Sequence, residues 1–597
     1  MSSTARNLSA VILVGLLVGS SFCPAAEQPA PLLAFGTDDT IVAVRVKSIN
    51  TVLNSVGAVM TKMEPQAGGM MKGMIQMALA QLQGADLDGP AAILVLDPKK
   101  YEGEPMVGVV TLAAAGDFNG PQGSQALAIG KLGLVADNNA VLEKVSQMIQ
   151  DTKIKAIPTR DMGDQVVIQS DVGGLLKRYE LDIKTGLQQA RAELRGAGAD
   201  AAAEELKQMG LRALDHAAVL IQETQKQAGL AELGLTFGKD RIKANLAMEA
   251  VAGSGAAQFL SKNNIAARKA LTKLLPKNAI ATSVSSYDPD SFFGVVLGVV
   301  GGACDIAGLA EPAKALIHQK LKGLYGEMTG ANAQAMVPTD KGFATVAVHA
   351  TKGPEAARAR VKEALELAQH GALADLCQKY GLTIKLTPAH RKYKNIPIDK
   401  VEAKIDAEKL AAALPLPAEA RRGFPEALKK GLQNRDAFVT ELVYPKRALV
   451  TADVSAGPEP MNAMIDLIKT EGADGIGSSP EYRAALDKHP QRSLALWHVS
   501  LFGYLDAMSK TVQQAGDDAA DVNILPTREE LPAEEEPITG AVRIEGNRLI
   551  ISADVPVQPI AAFAQVMKKK TEEKMRKQME MMEEAPVPAP VDPAPVE

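Results

Sequence analysis

The sequence repeats itself, and the repeat restricts the fold more than any other property. Four stretches share one order: KANLAMEAVAGSGAAQFLSK (243–262), FATVAVHATKGPEAARARVKEAL (343–365), ALVTADVSAGPEPMNAMIDLIKT (448–470) and LIISADVPVQPIAAFAQVMKKK (549–570). Each is a short alternating strand, a turn of Gly, Pro or Ser, and an amphipathic helix. Pro354, Pro458 or Pro460, and Pro559 fall at the helix starts, where the N–H that proline lacks has no partner to lose. Two of the units follow a further strand closely, in LGLTFGKDRIKANLAMEA (233–250) and ITGAVRIEGNRLIISADV (538–555), which read as hairpins turned by Gly-Lys-Asp and Glu-Gly-Asn. They lie about 307 positions apart and match Arg241 with Arg548, so the chain reads as a duplication.

A second unit also recurs, in DTIVAVRVKSINTVLNSVGAVM (39–60), DQVVIQSDVGGLLKRYELDI (164–183), NAIATSVSSYDPDSFFGVVLGV (278–299) and RSLALWHVSLFGYLDAMSKTV (492–512). Each is a strand, a short polar junction and a helix. The expected architecture is α+β, two related halves of antiparallel sheet covered by helices, at residues 36–265 and 275–570. The first half carries an inserted helical hairpin at 184–228, its second arm capped by Asp200. Residues 471–491 and 514–535 read as polar loops, and 571–584 extends the last helix. The Pro-rich stretch APVPAPVDPAPVE (585–597) reads as an extended, disordered tail.

The tandem units, as in DTIVAVRVKSINTVLNSVG and ALVTADVSAGPEPMNAMIDLI, resemble those of large exported bacterial proteins with duplicated α+β halves. That family has no characterised activity, so the resemblance implies a fold and carries no site.

The N-terminus reads as a secretory signal: Arg6, the apolar run LSAVILVGLLVG (8–19) and the small-residue exit SSFCPAA (20–26). The expected signal is 1–26, with a linker at 27–35 and a periplasmic or extracellular mature chain. Phe22 ahead of Cys23 argues against a lipoprotein. A net charge of −5 with both signs mixed leaves no footprint for nucleic acid, and the 4% aromatic content argues against a stacking platform. Beyond the signal, Cys304 and Cys377 are expected as buried free thiols, since no spacing forces a bridge.

Catalytic signatures are missing. HExxH, paired CxxC, a GxGxxG following a strand and GxxxxGK[ST] are all absent, and GIGSSP (475–480) lacks the spacing of a nucleophile elbow. His349 and His498 both sit on predicted strands, but spacing implies no third ligand to join them on a metal. Asp38 and Asp39, and Asp517, Asp518 and Asp521, read as solvated loop charge rather than calcium loops. No catalytic residue, cofactor or metal is therefore expected. FFGVVLGVVGGA (292–303) reads as a buried helix capped by Asp288 or Asp290, because twelve residues span only ~18 Å against the ~30 Å of a bilayer core. No transmembrane segment is expected in the mature chain, and membrane association at most weak.

Ten of the 22 methionines fall in two windows. In MEPQAGGMMKGMIQM (63–77), Met70, Met74 and Met77 follow one helical stripe and Met71 the adjacent one. In VMKKKTEEKMRKQMEMMEE (566–584), Met575, Met579 and Met582 prolong the face of the last repeat helix. Thioethers can hold Cu(I), but without His or Cys nearby they read as adaptable packing or docking faces. The expected function is that of a non-enzymatic exported envelope protein, which binds a protein or lipid-like amphiphilic partner through helix faces and the surface between its halves. The alternative is a hydrolase or metal-dependent enzyme whose site is assembled from residues distant in sequence.

Overall fold

A computed structural model describes residues 38–583 except 65–68, 71–72, 74–75, 78, 102–104, 116–117, 122, 153–155, 157–162, 197–200, 341, 414–417, 432–436 and 515–524. The expected signal, linker and Pro-rich tail lie outside the described residues, as do Asp200, Asp517, Asp518 and Asp521.

The first half runs β1 (Thr40–Val46), α1 (Ile49–Met63), β2 (Ala91–Leu96), β3 (Met106–Thr111), β4 (Gln125–Ile129), β5 (Leu132–Ala136) and α2 (Asn139–Thr152). It continues with β6 (Val166–Asp171), α3 (Val172–Arg178), α4 (Glu180–Gly196), α5 (Ala201–Gln227), β7 (Ala228–Phe237), β8 (Arg241–Ala250) and α6 (Gly255–Lys262). The second half begins β9 (Ala281–Ser286), α7 (Pro289–Ala307), α8 (Glu311–Glu327), β10 (Met328–Thr339), β11 (Gly342–Thr351), α9 (Pro354–Glu366) and α10 (Ala372–Lys379). Next come β12 (Leu382–Tyr393), β13 (Ile396–Ile405), α11 (Ala407–Ala413), α12 (Ala418–Gly431), β14 (Ala437–Val443), β15 (Ala448–Asp453) and α13 (Glu459–Lys469). It closes with α14 (Pro480–Asp487), β16 (Ser493–Val499), α15 (Leu501–Gln514), β17 (Ile538–Glu545), β18 (Arg548–Pro556) and α16 (Val557–Glu583).

All pairings are antiparallel and join the strands into one sheet. From its middle outward the first half reads β8-β7-β6-β1-β2-β3-β5-β4. The second reads β18-β17-β16-β9-β10-β11-β15-β14 in the same order, then adds β13 and β12. The halves meet edge to edge, β8 against β18. The repeat that equates Arg241 with Arg548 equates Asn245 with Ser552, and those two residues are register partners in the middle of the seam. A local two-fold axis therefore passes between them, and backbone hydrogen bonds make the junction.

Each half builds its core on the same side of its outer strands. In the first, α2 lays Val141, Val145 and Ile149 over Leu94, Leu96, Val107 and Leu134. In the second, α13 brings Met461, Met464 and Ile465 onto Val346, Val348 and Val450. Each such side chain contributes roughly 1.5–3 kcal/mol by leaving water.

Two expectations need correction. The loop expected at 471–491 contains α14, whose start is written in its sequence: the Ser479 hydroxyl accepts from the Tyr482 N–H and Pro480 occupies the first turn. Its Tyr482, Ala485 and Leu486 are buried. The apolar run expected as a buried helix is longer and more open than its composition suggests. α7 has 19 residues, capped by Asp288 at one end and by left-handed Gly308 at the other, yet only Gly302 and Cys304 are buried and Val299 is 51% exposed. It lies between α5 and α8, so helices rather than sheet supply most of its cover.

Candidate functional site

Each methionine window runs on from one partner of a contact between two helices. α16 begins at Val557, directly after β18, and its first turns bury Ala562, Phe563 and Val566 against Phe502 and Leu505 of α15. It then packs along α1, and Lys568 Nζ donates to Glu64, the residue that ends α1, at 2.9 Å. From that pair α16 runs on for 15 more residues to Glu583, roughly 22 Å at helical rise. On this extension Met575 is 51% and Met579 61% exposed, and Met70 and Met77, just beyond Glu64 in sequence, are 71% and 70% exposed. Met71 and Met74 are outside the described residues, as is the Met582 side chain.

The halves also touch through helices. α5 of the first packs on α7 of the second, and a Cβ added to Gly302 would stand 2.3 Å from His216 Nε2. At Gly308 an added Cβ would meet the Arg212 guanidinium at 1.9 Å, and at Gly301 His318 Nε2 at 3.7 Å. The glycines of α7 thus admit side chains of two neighbouring helices, including two histidines that no spacing rule singled out. α7 is, among the described residues, the one helix long and apolar enough to cross a membrane, with mean hydropathy 1.5. Length and composition say no more than that.

A cleft of about 430 Å3 opens beside α14. Tyr482, Ile476 and His498 form its apolar side, and Lys277, Glu481 and Lys488 its polar rim. The Tyr482 hydroxyl hydrogen-bonds Thr282 Oγ1 at 2.8 Å, its ring meets the His498 imidazole edge-on at 5.2 Å, and burial pushes its pKa up to about 12. Glu535, also on the wall, is occupied in capping α15, accepting from the Ser500 hydroxyl and the Phe502 N–H. Ser479 donates to Glu481 while capping α14. Both hydroxyl–carboxylate pairs at this cleft are thus engaged at helix starts, the Ser479 and Ser500 hydroxyls accepting from the Tyr482 and Gly503 N–H groups.

His349 and His498 do not converge. Their strands are separated by β9 and β10. Along β11, Val346 and Val348 face the α13 side, which turns His349 to the other face, whereas His498 lies with Leu496 on the α13 side. Among the described residues no group of three His, Cys, Asp or Glu is placed to hold a metal ion. Asp39, expected as solvated, is 7% exposed: burial alone would raise its pKa, but hydrogen bonds from Lys100 and Tyr101 hold it below the usual range. Both Cys304 and Cys377 are free thiols, the first buried and the second half-buried, and burial raises each.

Burial lowers the pKa of His349, His489 and His498 below the ordinary 6.5. A histidine kept neutral in the fold takes up its proton first in the unfolded chain, so it costs nothing above pH 6.5 and destabilises as the pH falls below that value. The urea midpoint is expected to drop between pH 7.5 and 5.5, and the drop to shrink when His349 and His498 are both replaced by Asn. An unchanged midpoint would rule out neutral burial.

No family model and no curated protein matches the chain. Two solved structures, crystal forms III and I of TP0453, align with 49% and 50% of it and with 96% and 97% of their own chains. Identity is 9% and 10%, and the TM-score is 0.18 for each, too low to support any inference about this chain.

Proposed function

We propose that this is a non-enzymatic, exported envelope protein that binds a protein or amphiphilic partner through its helix faces and the surface between its halves. The observation that carries this reading is the corner at Glu64 and Lys568. There α16 outruns the helix it packs on, and the stretches that follow Glu64 and Lys568 in sequence each carry two methionines, at 51–71% exposure. Methionine is flexible and polarisable, and such faces re-pack against varied partners. Beyond Lys570, which bonds the Leu525 carbonyl and pairs with Glu530, α16 runs on for 13 more residues to Glu583, and this extension is assigned to something outside the chain. Contact between α5 and α7 supplies the surface between the halves.

Mild peroxide footprinting tests this. Met70, Met77, Met575 and Met579 should oxidise fast in the purified chain and at least several-fold slower once envelope extract is added. The buried Met461 and Met464 should be unreactive in both samples. If the four methionines oxidise equally with and without extract, while the purified chain turns over ester, peptide or glycan substrates, the reading is wrong.

A further inference from the structure

The two halves end differently. β14 and β4 are equivalent strands, each pairing on its inner side with the strand that follows it, β15 or β5. The outer edge of β14 is filled by β13, register Glu402 to Val439, with β12 beyond it. The outer edge of β4 has no partner among the described residues. Chain length explains the difference, because β11 and β14 are linked by residues 352–436, which include β12 and β13, whereas β3 and β4 are linked by 112–124 alone.

The second half protects its final edge and the first does not. β12 carries Lys385, Pro388, Lys392 and a bulge between Thr387 and Arg391, the standard devices against unwanted pairing. β4 is Gln-Ala-Leu-Ala-Ile, with no charge and no proline.

The sheet face away from α2 is covered at that edge, where Phe118 and Leu112 pack with Ala126, Ala128 and Val135, and opens two to three strands further in. In the second half α8 and α9 cover Val401, Leu442 and Leu449. In the first, Leu94 and Leu96 point into the core, so Ile93 and Val95 point away from it; Ile93 is 45% exposed and Met106, the register partner of Val95, is 41% exposed. Leu127 of β4, paired with Leu134 and so on the α2 face, is 38% exposed at the edge itself.

We propose that β4 is a strand-addition site, taken by an extended, uncharged segment of a partner protein that pairs with Gln125–Ile129 and continues over Ile93 and Met106. Open backbone groups supply the attraction, and the apolar side chains set what fits. Pairing with a second copy of β4 would engage only five residues per chain, far less than the ~800 Å2 per partner of a stable interface. A partner that goes on to cover the sheet face, as α9 does in the other half, is not so limited. This does not rest on the methionine-face reading, and each can fail alone.

The probe is β13 itself, the decapeptide IPIDKVEAKI, together with its uncharged form IPITTVTATI. Fluorescein-labelled IPITTVTATI should bind the full chain saturably by anisotropy, more tightly than IPIDKVEAKI, and slow amide exchange at 125–129 at least ten-fold. Leu127→Lys should weaken binding at least ten-fold, whereas Leu127→Thr, a strand former without charge, should bind within two-fold of the parent. Absence of saturable binding, equal binding by Leu127→Lys, or equal binding of a peptide N-methylated at alternate residues would overturn the proposal. So would sedimentation showing that the chain dimerises through β4 without peptide, since the occupant would then be a second copy.

Discussion

Replacing Phe502 by alanine is expected to lower the unfolding free energy by about 3–5 kcal/mol, the range for deleting a fully buried aromatic ring. Phe502 is 0% exposed and sits in the first turn of α15, against Leu505, Leu531, Ala562, Phe563 and Val566. The Arg528 guanidinium lies over the ring, 5.7 Å from its centroid. Three segments far apart in sequence close on this one side chain, and one of them is the root of α16. The loss should therefore be uneven: amide exchange in residues 557–570 should accelerate more than in β2 and β3, whose core contains none of these residues. Urea unfolding gives the total and exchange gives its distribution. A loss under 1 kcal/mol, or uniform acceleration, would show that α16 is anchored elsewhere.

Glu441→Ala should cost a similar amount by a different mechanism. Glu441, on β14, is 2% exposed and accepts from His390 Nε2 at 2.7 Å and from Arg391 Nε at 2.6 Å. Arg391 Nη1 in turn donates to Asn462 of α13 at 2.8 Å. One carboxylate thus holds β12, just past its bulge, to a strand two positions away. Removing it leaves a largely buried guanidinium without its counter-charge, which typically costs about 3–5 kcal/mol. Glu441→Gln keeps an acceptor and should lose distinctly less. Equal losses for Ala and Gln, by urea denaturation at pH 7.5, would show that shape rather than charge is at stake.

The repeat units were legible because their signals are local. A period of two, then Gly or Pro, then a period near 3.6 identifies a strand-turn-helix in any context, and Ser254, Asp288 and Pro559 stand at or next to their helix starts as their chemistry requires. β2, β3, β4 and β5 gave no such signal. AAILVL, MVGVVT, QALAI and LGLVA are short, almost wholly apolar runs, and without polar residues at alternate positions a period of two cannot be read from them. The β12–β13 turn escaped for a related reason: Lys394 and Asn395 both adopt positive φ, 47° and 65°, without the glycine that usually marks such a turn. Strand order was out of reach, since joining β8 to β18 depends on residues separated by more than half the chain.

The candidate sites divide the same way. A helical stripe shows which face of a helix is apolar and nothing about what lies against it. Hence Met70 and Met77 were recognisable as a face, yet only the fold shows that face open to solvent. For α7 the same gap worked in reverse, because an apolar run suggested a buried helix and the structure lays it in the outer layer beside α5 and α8. His349 and His498 share a residue type and a strand context, but register and pleat send them to opposite faces.

The seam between the halves also has a dimension in time. β8 precedes β18 by roughly 300 residues, which a ribosome working at ~5–20 residues per second takes roughly 15–60 s to make. A first half that folded as it was synthesised would spend that interval with a complete row of backbone donors and acceptors on β8 exposed, guarded by Arg241, Lys243 and Glu249. Only when Ile538–Pro556 arrives does the newborn chain satisfy that row from within itself. Until then a second nascent chain offers an equally good strand, so domain-swapped pairing through β8 is the characteristic error to which this topology is open.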